Sequence, residues 1–475
     1  MIFKKAAQTI SSVMLLVFIA LLFPLLGTDN PTLVEPRLWL GLFVFFFFIV
    51  IHCKEGLLED NITVRVAAYT FLAVPIFAGI RALWAYFVVH QTPVSNNPFL
   101  PLHLYIQWPT HWLFYFTAFV TGYLAFRTKL RAWSALNLMG WMGFFLAVNA
   151  LPALLLTGKT SYIDIHDKRG FFFPVFYTWD WVSEHAMNRF AHPNYVGDIM
   201  AFGFFAALGL VLYCVHVLRL RKKGADLNDR LEQKLSSVPI PFILLRGTLA
   251  VAMATAIFML MSRGTIVSFI LTVLIIGLIL CVKFFERLPW AAALLAVSLA
   301  VGVLGWAVNF EKVFSEIQSL STEMQSQEDR GTKSIDTNIE GQKRAWVIHQ
   351  AYPVWGVGTK GYEALARYFA QTKDPFSFAD VRAMNHYLQT LAEEGVGAYF
   401  YFAFLIVYLL ELFKGLFLTR SRFKFVVSLS FFAPVLMVFI HAFFNHLMEG
   451  FGMRAMVYLN MGASLSVLRT DFKHR

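Results

Sequence analysis

The sequence predicts an all-α integral membrane protein with about twelve transmembrane helices, and three observations carry that prediction. First, only 15% of its 475 residues are charged, while 58% are hydrophobic and 17% aromatic. A soluble chain has about a quarter charged residues, so this one lacks the polar surface to cover a water-soluble domain. Second, the apolar residues gather in runs long enough to cross a hydrocarbon core, which takes about 20 helical residues. Third, those runs are too continuous for the alternating segments of a membrane β-barrel. The 50 phenylalanines suit a lipid-facing helix surface. A formal charge of +11 would suggest nucleic acid in a soluble chain. Here it asks which side of the bilayer the basic residues occupy, and no nucleic-acid partner is expected.

In chain order the expected spans are 10–26, 38–53, 63–89, 104–126, 132–157, 195–218, 239–261, 265–283, 288–309, 396–413, 425–444 and 451–468. Lys4 and Lys5, Lys54 and Arg65, Arg127 with Lys129 and Arg131, the run Arg219–Lys223, Lys283, Arg287, Lys414, Arg420 and Arg469 then fall on one side. The opposite short loop 91–103 has no Lys or Arg. Basic residues in short loops mark the cytoplasmic side, so both termini are expected in the cytoplasm. Lys4-Lys5 before an apolar run also resembles the start of a signal peptide. The further spans, and the lack of a small-residue cleavage pattern after Leu26, favour an uncleaved first helix. Cys53, Cys214 and Cys281 all map to the cytoplasmic half, so no disulfide is expected.

This divides the chain into residues 1–309, holding helices one to nine with an outer loop at 158–194; a large outer loop at 310–395; and residues 396–475, holding helices ten to twelve. The two outer loops are longer than a tie between helices requires, and long loops are commonly functional or disordered. Residues 315–338 have disordered-type composition; the chain then turns aromatic, basic and Gly-punctuated from Gly341. Trp355-Gly356-Val357-Gly358-Thr359-Lys360-Gly361-Tyr362 predicts a tight turn, because glycine supplies positive φ and close backbone approach. Residues 363–372 suggest a short helix. Asn385-His386-Tyr387-Leu388 then leads through Glu393-Glu394-Gly395 into the tenth span.

Lys343, Arg344, Lys360, Arg367, Arg382, Lys168, Arg169 and Arg189 suit an anion, since guanidinium matches phosphate with two parallel hydrogen bonds. Solvated loop decoration is their plainer reading. Arg263 stands apart. It sits in Met261-Ser262-Arg263-Gly264, a minimal outer turn between two apolar spans, and an ionisable group at the membrane boundary points to function. A snorkelling anchor is the alternative there. Arg81 and Arg246 lack such a setting and read as helix–helix or interfacial contacts.

Arg263, Arg344 two residues before Trp346, the Gly356–Gly361 turn and Asn385–Gly395 occur in this order around one outer loop. Together they resemble the O-antigen ligase and O-antigen polymerase superfamily, multi-span glycosyltransferases of the bacterial inner membrane. Arg189 followed by Pro193-Asn194 is similar to the family's approach to the preceding span. The resemblance covers roughly residues 185–415. One departure falls at the histidine: counting back from Gly395 puts Met384 at the family's His position and Asn385 at the next, with His386 displaced.

The resemblance implies a GT-C-like membrane glycosyltransferase fold with a large periplasmic loop. It implies a donor glycan on undecaprenyl pyrophosphate, transferred on the periplasmic face to a hydroxyl of lipid A–core oligosaccharide in a ligase, or of another carrier-linked glycan in a polymerase. No cofactor and no metal is expected, and the transfer is expected to invert the anomeric centre. The leaving pyrophosphate needs fixed cations, for which Arg263 and Arg344 are the candidates. The acceptor hydroxyl needs a base, for which His386 is the candidate. Arg189, Asn194, Trp346, Lys360, Tyr362 and Asn385 are candidates for holding substrate, the aromatics by stacking on sugar faces; belting at the membrane interface is their alternative. His441 and Asn445 share a helix face but lack the His-Glu-x-x-His arrangement of a zinc helix, and read as polar contacts near the site. Asn194 and Asp198 share a face suited to orienting sugar hydroxyls or an arginine. The reading from another class is a transporter of lipid-linked oligosaccharide. It is disfavoured because the unusual residues gather in outer loops rather than at mid-membrane.

Overall fold

A computed structural model describes residues 7–17, 31–52, 62–85, 87, 102–157, 193–224, 230–259, 263–283, 339–359, 361–362, 383–443 and 451–472. Among them are fourteen helices and no strand, so the protein is an all-α membrane protein. The helices are α1 Ala7–Val17, α2 Pro31–His52, α3 Ile62–Trp84, α4 Leu102–Ala125, α5 Lys129–Thr157, α6 Pro193–Lys222, α7 Arg230–Ser236, α8 Ile240–Met259 and α9 Arg263–Lys283. They continue with α10 at 339–351, α11 His386–Glu394, α12 Val396–Leu418, α13 Arg422–His441 and α14 Phe451–Arg469. Six of them, α3, α6, α8, α9, α12 and α13, are long and apolar enough throughout to cross a membrane. The expected ninth span, 288–309, and the expected helix 363–372 lie outside the described residues.

These helices form because their apolar runs bury backbone polar groups that a bilayer cannot satisfy. They associate through close contact rather than through an outward-to-inward hydrophobic gradient. Phe43, Phe46, Leu278 and Leu410 remain exposed on outer faces, as a lipid-solvated surface requires. Small residues set the closest crossings. Gly122 of α4 lies against the Leu459 backbone of α14, and Gly462 of α14 against the Phe119 carbonyl of α4. Gly143 of α5 faces the Gly203 backbone of α6 beneath the Met253 sulfur of α8. Around these contacts α13 packs on α14, α6 and α9, while α3 packs on α4 and α12. Phe71 of α3 and Phe404 of α12 stack at 4.3 Å, with Tyr458 of α14 at 4.9 Å from Phe71. Gly462→Ala is therefore expected to force α4 and α14 apart, at a cost of about 1–3 kcal/mol, read as a lower melting temperature in detergent.

At one end of the bundle the ties are polar. Glu411 of α12 is buried and paired with Arg469 of α14. Arg422 of α13 meets His216 of α6 at 3.0 Å, and the Lys283 ammonium at the end of α9 donates to the Thr419 carbonyl at 2.9 Å. The functional candidates lie at the other end.

Candidate active site at the loop end of the bundle

At that end α6, α9, α12 and α14 begin, α3 and α13 finish, and α10 and α11 form a separate layer. Asn385 starts α11: its side-chain oxygen accepts from the N–H groups of Tyr387 (3.0 Å) and Leu388 (3.1 Å), satisfying donors that a helix start leaves without partners. Met384 just before it has φ +50°, a left-handed conformation uncommon for a side-chain-bearing residue. Three bonds moor the start of α11 on the end of α13. The His386 N–H donates to the Ala442 carbonyl (2.9 Å), Asn385 Nδ2 to the Phe443 carbonyl (3.2 Å), and the Tyr387 hydroxyl to the Phe439 carbonyl (2.9 Å).

The far end of α11 is held by the glycine turn. Gly356 (φ +63°) and Gly358 (φ +91°) take up left-handed geometry, and a Cβ on Gly356 would run into the Glu393 backbone. This close approach lets the N–H groups of Val357 and Gly358 donate to the carbonyls of Ala392 (3.0 Å) and Glu393 (2.9 Å). From α3, the buried Arg81 guanidinium reaches the same junction. It pairs with Glu394 at 2.9 Å and donates to the Glu393 carbonyl at 2.7 Å and the Trp355 carbonyl at 3.2 Å. Thr359 completes the network by donating to Glu394 Oε1 at 2.6 Å. Trp355 lies between Phe77 and Trp84 of α3, at 5.5 and 5.2 Å. Arg81 thus joins a span to the loop layer, where the sequence suggested a helix–helix or interfacial contact. Arg246 does make a helix–helix contact, to Asn137 at 2.8 Å.

Helix α10 rests on α11 through a small cluster of Ala345, Ile348, Tyr362, Ala383 and Ala392. It carries Arg344, which pairs with Glu340 one turn back at 3.4 Å, and Trp346, which is 49% exposed. Tyr362 is buried in the cluster and donates to the Gly341 carbonyl at 2.9 Å, so it fixes α10 from within rather than offering a face at the surface.

Beneath this layer, the starts of α6 and α9 meet the end of α13. Asp198 of α6 and His441 of α13 are both wholly buried, with Nδ1 at 3.0 and 3.1 Å from the two carboxylate oxygens. Gly264, directly after Arg263, lies so close that a Cβ there would stand 2.5 Å from His441 Nε2. Gly197 next to Asp198 lies equally close to Thr265. Further down the same three helices, Phe204, Leu208, Val273, Ile276, Val426 and Leu429 line an apolar groove.

The sequence candidates therefore fall into three groups. His386, Asn385, Arg344, Trp346 and Tyr362 come together in the α10–α11 layer. Arg263 opens α9 and Asn194 lies in the first turn of α6, with their side chains outside the described residues. Arg189 and Lys360 also lie outside them. Two elements had no pairing in the sequence reading. The Asp198–His441 pair spans 243 positions, and Arg81 with Glu394 spans two helices far apart in the chain. The available signal in each case was an ionisable residue inside an apolar run.

His386 is buried, with its ring edge-on to Tyr401 at 6.1 Å. Burial, and then the nearby Arg454 guanidinium, hold its pKa well below the usual imidazole range. The folded protein keeps this ring neutral where the unfolded chain, titrating near about 6.5, takes up a proton. The native contribution is therefore complete above that pH and is lost as pH falls through it. His386→Gln is expected to flatten this part of the melting temperature–pH curve between about pH 5 and 7.

No curated protein matches the chain. Residues 248–403 match the family described as O-Antigen ligase, a stretch running from α8 to α12 that takes in Arg263, Arg344 and His386. Over this stretch the chain is similar to the O-antigen ligase family.

Proposed function

We propose that the protein is an O-antigen ligase-type glycosyltransferase of the bacterial inner membrane. In this reading the loop end faces the periplasm and both termini lie in the cytoplasm. The donor is a glycan on undecaprenyl pyrophosphate, and the acceptor is a hydroxyl of lipid A–core oligosaccharide. The observation that carries this reading is the meeting of three parts. The α9 start that bears Arg263 and the α10–α11 layer that bears Arg344 and His386 are both moored on the end of α13, above an apolar groove between α6, α9 and α13. A polyprenyl chain suits such a groove, and its pyrophosphate would then lie at the level of the α9 start.

The chemistry follows from these placements. As the anomeric C–O bond breaks, charge grows on the departing pyrophosphate, and Arg263 and Arg344 meet it with fixed positive charge. The acceptor oxygen forms the new bond to the anomeric carbon and gives up its proton to a base. His386, kept neutral by burial, has a lone pair for that proton at neutral pH. Attack opposite the leaving group inverts the anomeric centre. Exposed Trp346 offers a sugar-stacking surface beside Arg344.

The test is gene deletion followed by lipopolysaccharide electrophoresis, with complementation by wild type, Arg263→Ala, Arg344→Ala and His386→Ala at matched protein levels. The expected result is loss of the ladder from the core with polymer still on the carrier, restored by wild type alone. A core bearing one repeat unit would assign polymerase activity instead. An unchanged ladder in the deletion strain would refute both.

A further inference from the structure

The turn that leads from α10 to the glycine segment is apolar and faces outward. Tyr352 is 46% exposed and Val354 50%, with Pro353 between them exposed as well. Single apolar residues at a surface need no explanation, but a contiguous patch marks an interaction. This one is contiguous. Trp355, the next residue, lies between Phe77 and Trp84 of α3, and the Phe77 ring is 6.4 Å from Phe400 of α12. Leu83 and Trp84 at the end of α3, and Tyr399 and Phe400 at the start of α12, are exposed in turn.

Trp355 fixes the depth of this turn. Phe77 and Trp84, 5.5 and 5.2 Å from its ring, are seven residues apart on α3. Seven helical residues rise about 10 Å, so Trp355 lies about 5 Å inside the end of α3. With 23 residues, α3 rises about 35 Å, against a hydrocarbon core of about 30 Å. With α3 centred on the core, Trp355 is level with the core's edge. Backbone polar groups at that level need partners from within the protein, and this turn has them. The Gly356 N–H donates to the Tyr352 carbonyl (2.9 Å), the Val396 N–H to the Val354 carbonyl (2.9 Å), and Arg81 to the Trp355 carbonyl (3.2 Å). The Tyr352 N–H donates to the Ile348 carbonyl (2.9 Å), and Pro353 has no N–H to satisfy.

We propose that Tyr352-Pro353-Val354 is a membrane-seated wedge, whose side chains enter the border between headgroups and acyl chains in the leaflet at the loop end. Its occupant is phospholipid, because the patch is continuous with the exposed sides of α3 and α12, two helices long and apolar enough to cross a membrane. Tyr352 suits that border, with an apolar ring and a hydroxyl that keeps contact with water. The wedge follows α10 directly, so it holds the helix that bears Arg344 at headgroup level. This seating depends on neither the donor nor the acceptor assigned above.

The test is spin-label accessibility in the full-length protein in phospholipid nanodiscs, after Cys53→Ala, Cys214→Ala and Cys281→Ala. Single labels are placed through Val354→Cys, through Leu410→Cys on the exposed face of α12, and through Glu340→Cys on the exposed side of α10. Oxygen concentrates in lipid, while a polar nickel complex stays in water. The oxygen-to-nickel accessibility ratio at Val354 is expected to exceed that at Glu340 by about tenfold and to approach that at Leu410, because an apolar medium excludes the polar probe. In the unlabelled wild-type protein, a phospholipid with a diazirine near the top of its acyl chain is expected to cross-link within residues 352–355. That readout is independent of any variant's folding.

A Val354 label that meets the nickel complex as readily as the Glu340 label would overturn the wedge, since water then covers the turn. A Val354 label shielded from both probes would overturn it as well, since protein, from this chain or a second copy, then covers the turn. Lipid cross-links on α12 with none in 352–355 would have the same meaning.

Discussion

Arg81→Ala is expected to be among the most destabilising single substitutions in the protein, by about 3–5 kcal/mol. The guanidinium is 2% exposed, and so is the Glu394 carboxylate it neutralises. Truncation leaves that carboxylate buried without its counter-charge, and removes the guanidinium donor from the Trp355 carbonyl and from the Glu393 carbonyl, which keeps the Gly358 N–H. A loss of this size is a large fraction of the roughly 5–15 kcal/mol that holds a typical native state. It acts locally first: the Gly356–Thr359 turn comes away from the end of α11, and the loop layer loses its tie to α3. Thermal melting in detergent is expected to show a large drop, and limited proteolysis to show earlier cleavage within 352–395. A double variant, Arg81→Met with Glu394→Gln, is expected to recover part of the loss, because it removes both charges together. Equal destabilisation by single and double variants would mean that the pair is not the source.

Arg344→Ala and Arg263→Ala have a different expected profile. Each is expected to lower the rate of glycan transfer by about 10²–10³, the usual consequence of removing one fixed donor from a developing oxyanion. Arg344 pairs with Glu340, which is 66% exposed, and an ion pair so open to solvent adds little to stability. Its melting temperature is therefore expected to fall much less than that of Arg81→Ala. Lysine at either position keeps the charge and loses the planar fork, so Arg→Lys is expected to restore only part of the rate. Single-turnover transfer measured beside melting separates the two profiles: Arg81→Ala is expected to act on the scaffold, the other two substitutions on the reaction.

The six long apolar helices were legible because a bilayer imposes length and apolarity on each segment by itself, without reference to its partners. The glycine turn was legible for a similar reason, since Gly356 and Gly358 announce positive φ locally. Helix α10 was not. Its residues mix charged, polar and apolar side chains, and it is held by Ala345 and Ile348 packing on Ala383, Ala392 and Tyr362, contacts that no local pattern encodes. Tyr362 shows the same limit, because an aromatic residue in a loop reads as a sugar platform until its burial is known. Of the site, Arg263-Gly264 stood out through its setting. The reason for Gly264 lay in His441, 177 positions away, which leaves no trace in the residues around the turn. His386 was legible as a residue type. Its orientation depended on Asn385 capping α11, which turns the imidazole toward Tyr401 and Arg454.

The most direct measurement is transfer by the purified protein in liposomes, supplied with a labelled glycan on undecaprenyl pyrophosphate and with lipid A–core oligosaccharide, and followed by the mobility of the label. The account predicts that label moves to the core lipid at a rate that depends on Arg263 and Arg344, with undecaprenyl pyrophosphate released in equal amount. Label that stays on the carrier, or that crosses the bilayer still attached to it, would contradict the assignment of a glycosyltransferase.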